Sequence, residues 1–159
     1  MTIVELLQRK HHEVDALFSE VDYAAAASKY RLARATFRGL SIKLIASMRA
    51  VNAVVYPRFA FHARLAAEVT DASREHYRIE RAINHIRIGA LAPEEWRAAV
   101  RELRRMVDDH ATAAECALFP FATLALTGDE LRTIATEFLA YEPVAASVAG
   151  PSITYDTAA

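Results

Sequence analysis

Apolar residues recur three and four apart along most of the chain, and the first such stripe, Val4, Leu7, His11, Val14, Phe18, has a histidine in an apolar place. Spacing of this kind predicts amphipathic helices rather than strands. Thr2 with Glu5 has the pattern of a capping box, so a first helix is expected over roughly residues 3 to 23. A second is expected over roughly 29 to 56, stopping at Tyr56 because Pro57 disfavours the α conformation in the residue before it. The piece "RFAFHARLAAEV" leads to Thr70 and Asp71, expected to cap a third helix that runs to about Ile88. "GALAP" breaks the chain, and Pro93 lies near the first turn of a fourth helix expected to end before Pro120. Thr127 and Glu130 repeat the capping box for a last helix to about Tyr141.

Four long amphipathic helices with short loops predict an all-α, up-down-up-down four-helix bundle. The segment at 58–69 and the helix at 127–141 read as additions to it. One domain is expected over residues 1–141, with 142–159, "EPVAASVAGPSITYDTAA", as an irregular C-terminal arm or disordered tail because its periodicity is weak. Composition agrees, since only 4 glycines and 5 prolines interrupt 159 residues, 53% of them hydrophobic. A net charge of −1, with the basic residues scattered, gives no footprint for nucleic acid or an anionic membrane. The start "MTIVELLQRK" lacks the pattern of a secretory leader, and Cys116 is alone, so a cytoplasmic protein without disulfides is expected.

The histidines change the picture most. His11 faces the core of helix one, whereas His12 lies about 100° round it. Helix three carries His76, Ile79, Ile83 and Ile86 on one stripe, and helix four carries Val100, Leu103, Val107 and His110. His11 and His110 each lie about nine residues, or roughly 13 Å, from the same end of the bundle. A single core histidine is most simply bonded to a neighbouring carboxylate or carbonyl. Three at similar depth on three helices are expected to share a site, because buried imidazoles need partners and most readily share a cation.

Four segments in order, "LLQRKHHEVDALF", "VVYPRF", "EHYRIERAINHI" and "DDHATAAECALFPF", together resemble the hemerythrin-like (HHE cation-binding) proteins over roughly residues 3 to 121. The resemblance implies a four-helix bundle holding a non-haem di-iron centre, with histidines and two bridging carboxylates. Its members act on dioxygen, peroxide or nitric oxide, or handle iron. Residue by residue, it makes His11, His76, His110 and Glu115 metal ligands, and it puts Glu80 where some members carry a second helix-three histidine. Helix two departs from the pattern. Counted back from Tyr56-Pro57, the family's histidine and glutamate fall on Ser47 and Val51, or one residue later on Met48 and Asn52. Ala114 stands where many members have a glutamate.

A di-iron centre is therefore not expected. The surviving ligand types suit at most one ion per chain, Fe(II), Mn(II) or Zn(II). Glu115 lies about 140° from His110 on an ideal helix, so an interhelical or solvated carboxylate remains an equal reading of it. His62 and the tyrosines Tyr56 and Tyr77 read as packing residues, His85 as a surface residue, Cys116 as a partly buried, unreactive thiol, and Glu13, Asp15, Glu20 and Asp22 as a solvated face. Three functions stay open: a metalloprotein with a reduced site acting on a small oxidant or nitric oxide; a metal-free bundle whose cavity takes a small organic ligand, with the histidines as acid and base; and a silent homo-oligomer.

Overall fold

The computed structural model describes residues 1–149. Its helices are α1 (Ile3–Ala26), α2 (Tyr30–Ala50), α3 (Tyr56–Ala60), α4 (Ala66–Ile88), α5 (Pro93–Ala113), α6 (Phe119–Ala125) and α7 (Gly128–Ala149). Two π-helical turns, π1 (Val51–Val55) and π2 (Ala114–Leu118), join α2 to α3 and α5 to α6. No strand occurs among the described residues. Packing of α1 on α2, α2 on α4, α4 on α5 and α5 on α1 closes a ring of four, and α7 lies against α1 and α2.

The predicted ends of helices two and four are wrong for one shared reason. A proline inside an α-helix lacks its own N–H and drives its ring into the carbonyl four residues back. Here each proline follows a turn that has opened to the wider spacing: the Tyr56 N–H donates to the Val51 carbonyl, and the Phe119 N–H to the Ala114 carbonyl. Both helices thus run on through Pro57 and Pro120.

Helix α4 likewise begins before the predicted cap. Thr70 is inside it and bonds the Ala66 carbonyl at 2.9 Å, the back-bond of a mid-helix threonine. The capping boxes hold at both predicted places. The Glu5 N–H donates to Thr2 Oγ1 at 3.3 Å, and the Glu130 N–H to Thr127 Oγ1 at 3.3 Å. Helix α7 continues past Tyr141 and through Pro143 to Ala149, so residues 142–149 are helical rather than irregular. The remainder of the expected tail, 150–159, lies outside the described residues. Lys10 on α1 ties α7 down through Glu142, at 2.7 and 2.8 Å from its two carboxylate oxygens. Asp15 and Asp22 are not merely solvated, since they receive Arg104 and Arg97 of α5 at 3.2 and 3.4 Å.

The apolar core divides into two. One cluster holds Leu6, Leu7, Val55, Phe59, Leu118 and Phe138. The other holds Phe18, Leu40, Ile79, Ile83, Trp96 and Leu103. Along α1 the seam falls between Leu7 and Val14, along α4 between Val69 and Ile79, and along α5–π2 between Val107 and Ala114. His11, His76 and His110 occupy those three gaps, so the histidines form a polar layer across the middle of the bundle.

Cys116, on π2, is exposed, against the expected partial burial. We expect it to react stoichiometrically with a thiol reagent in the folded protein, as a colorimetric titration without denaturant would show.

Candidate functional site

The seam encloses a cavity of about 60 Å³ lined by His11, Ser47, Met48, Val51, Tyr56, His76, His110, Ala111, Ala114 and Phe119 among others. His76 is 4% exposed. Its Nε2 is 2.9 Å from His110 Nε2, and its Nδ1 is 3.0 Å from Asn52 Oδ1. A carbonyl oxygen only accepts, so the His76 Nδ1–H donates to Asn52. In the neutral ring the Nε2 lone pair is then bare and aimed at His110. The His110 Nε2–H completes that bond. His11 Nδ1 lies 2.6 Å from Glu115 Oε1. Glu115 is thus the interhelical carboxylate of the open alternative, brought towards α1 by the extra residue in π2.

Each π turn also delivers an aromatic ring. Tyr56 stacks on His76 with centroids 5.2 Å apart, and its hydroxyl is 3.5 Å from His76 Nε2. Phe119 stacks on His11 at 5.9 Å. In both cases the ring belongs to the residue just before the proline, so the pairs Tyr56-Pro57 and Phe119-Pro120 act as matched devices for holding a site histidine flat.

Burial, with His110 and His11 as neighbouring like charges, holds His76 well below the usual imidazole range. His110 is lowered to about 4, by burial first and His11 second. Burial pushes the Tyr56 phenol up, so it stays a donor. The two facing imidazoles are therefore neutral at pH 7, as bonding and ligation both require. The consequence for stability has a definite sign. Unfolded, His110 titrates near 6.5, and folded near 4, so the unfolded chain takes up more protons between those values. We expect the metal-free protein to lose stability as pH falls through that window, by about 3 kcal/mol from His110 alone, as denaturant titrations at stepped pH would measure.

A family profile, the hemerythrin HHE cation-binding domain, matches residues 2–122. The chain belongs to that family. No curated protein and no solved structure matches it significantly. The all-α bundle is accordingly a hemerythrin-like fold, and the family binds cations, typically iron.

The donors of this hemerythrin-like chain fit the family's paired metals poorly. Glu80 turns away to Arg49 of α2 at 2.5 Å and does not line the cavity, while Glu115 is engaged by His11. Helix two offers Ser47 and Val51 to the cavity and no carboxylate. Among the described residues no three His, Cys, Asp or Glu side chains are grouped as a ready metal site. The 2.9 Å between His76 and His110 Nε2 is that of a hydrogen bond, and it is also close to the roughly 3.0 Å between two nitrogens about 2.1 Å from one ion at a right angle, an arrangement open to this pair once the His110 proton moves to Nδ1. Asn52 supplies what ligating histidines ordinarily have, an acceptor on the far nitrogen that fixes tautomer and ring plane.

Of the residues singled out from the sequence, His11, His76 and His110 line the cavity and Glu80 does not. Asn52 entered only as a shifted helix-two position, and Phe119 not at all; the signal for Phe119 lay in the repeated aromatic-proline pair, Tyr56-Pro57 and Phe119-Pro120.

Proposed function

We propose that this hemerythrin-like protein binds at most one transition-metal ion per chain, Fe(II), Mn(II) or Zn(II), through His76 and His110, and presents it to a small oxidant or nitric oxide. The observation that carries the reading is the pair of neutral imidazoles, 2.9 Å apart at Nε2, on the wall of a small cavity and oriented by Asn52.

Size favours a small ligand over an organic one in that cavity. A volume of about 60 Å³ has room for a few waters, whereas pockets for drug-sized ligands run from about 300 to 1,000 Å³. Dioxygen, peroxide and nitric oxide are on the right scale. Charge argues against two ions. Two divalent cations about 3.5 Å apart repel by on the order of 20 kcal/mol at an effective dielectric of about 20, and helix two supplies no bridging carboxylate to offset it. A bound metal would contribute Lewis acidity or one-electron redox chemistry. This chain's own part is to keep both imidazoles deprotonated, to exclude bulk water with Leu7, Val14, Ile79 and Phe119, and to hold a proton between His11 and Glu115 beside the cavity.

Elemental analysis after anaerobic loading with Fe(II), and separately with Mn(II) and Zn(II), tests the proposal. Bound metal at up to one ion per chain is the expected result, and protein that takes up none of the three overturns the proposal. An oxo-bridged diferric spectrum with two irons per chain overturns it.

A further inference from the structure

Two larger depressions flank the histidine cavity, and each shares part of its wall. The first, of about 350 Å³, runs between α4 and α5–π2 and shares His110 and Ala114 with the cavity. The second, of about 300 Å³, lies between α1, α2 and α7 and shares Lys10, Val14 and Ser47. Either could lead to the buried imidazoles, so the question is which one a cation uses.

The two differ in charge and in closure. The α4–α5 groove has a floor of Ala72, Ala113, Ala117 and Leu118 under Glu68, Asp71, Glu75 and Asp109. Asp71, Glu75 and Asp109 are each paired with an arginine, at 3.4, 2.9 and 3.0 Å. Glu68 differs: its Oε2 is buried with no hydrogen-bond partner among the described residues. A carboxylate oxygen shut away from water and unpaired is costly, and a passing cation would relieve it. The opposite depression carries Glu13 and Glu142 beside Lys10 and Lys43; Glu13 pairs with Arg9, and the Lys10–Glu142 ion pair bolts that side. A divalent cation approaching there meets the Lys43 ammonium; approaching by the groove it meets the unpaired Glu68 oxygen, then small side chains, then His110.

We infer that the α4–α5 groove is the port through which a divalent cation reaches the site, with Glu68 drawing it in and the His110 ring as the inner door. The inference rests on the single-ion reading above. It treats the groove as a route and requires no lasting occupancy there.

Co(II) uptake by the metal-free full chain, followed by stopped-flow absorbance, provides the test, with final stoichiometry measured by elemental analysis. Glu68→Gln removes the charge while keeping the shape. Ala117→Leu narrows the groove without touching a site histidine, and Glu142→Gln unbolts the opposite side. The expected result is uptake slowed roughly tenfold in the first two variants and unchanged in the third, with the same final stoichiometry in all. Groove variants that load at the wild-type rate overturn the port, as does faster loading in Glu142→Gln with no effect of the other two. If either groove variant fails to fold, the other still decides. A wild type that binds no Co(II) at all overturns the single-ion reading and the port together.

Discussion

Replacing Ser47→His together with Val51→Glu raises metal content towards two ions per chain, and with metal withheld it costs the fold about 3 kcal/mol, roughly 10 °C in Tm for a domain of this size. Both positions line the cavity, and Val51 is 5% exposed. The new imidazole and carboxylate therefore enter a space with room for a few waters. Without a cation they are a polar pair in an apolar seam, and with one they are the ligand and bridge that helix two lacks. The neighbours are suitable: Glu115 is within reach of His11, and the double variant would leave that pair intact. Elemental analysis and thermal unfolding with and without Fe(II) give the decision. A double variant that gains no metal and loses no stability would show that α2 is not the interrupted ligand helix, and the single-ion argument would lose its main premise.

The bundle was legible because its signals are local and periodic. Thr2-Glu5 and Thr127-Glu130 marked helix starts that the structure keeps, and the three histidine-bearing stripes face one seam as their spacing required. The helix ends were not legible, since a rule about the residue before proline describes an α turn, and π1 and π2 are not α turns. The same π turn bears on the site, where the two readings of Glu115 had stayed open. On an ideal helix Glu115 points about 140° from His110, but the inserted residue of π2 rotates the positions around it, and the carboxylate meets His11 on α1. Glu80 is a different case. It sits one turn after His76, yet Arg49 on a neighbouring helix takes its charge, and such a partner is invisible to any reading of α4 alone. The tail misled for another reason: its weak periodicity pointed to an irregular arm, yet α7 has α1 and α2 to pack on and runs on through Pro143 to Ala149.

Removing either facing imidazole, His76→Ala or His110→Ala, abolishes tight metal binding and costs the metal-free fold about 1–3 kcal/mol. The metal content, not the stability, separates a ligand pair from an ordinary buried hydrogen bond. Were the pair only structural, each deletion would orphan the remaining imidazole and open space in the seam, costing about 1–3 kcal/mol and leaving metal content unaffected. As ligands, the two rings are each indispensable, so loaded protein loses its metal in both variants alike. In the metal-free protein each deletion still orphans the other ring and costs about 1–3 kcal/mol at pH 7, because the depressed pKa is a liability only below about pH 6.5. Deleting His110 removes the group that resists protonation down to about pH 4, so the variant's acid limb between 6.5 and 4 flattens as its neutral-pH stability drops. Asn52→Ala supplies the graded control. It leaves both rings in place but frees the His76 tautomer, and weakens metal binding by about 10–100-fold rather than abolishing it. Metal affinity by competition with a chelator, measured on all three variants beside their denaturant midpoints, distinguishes the cases. Equal metal content in wild type, His76→Ala and His110→Ala removes these residues from any metal site and leaves the seam as a hydrogen-bonded layer in a hemerythrin-like core.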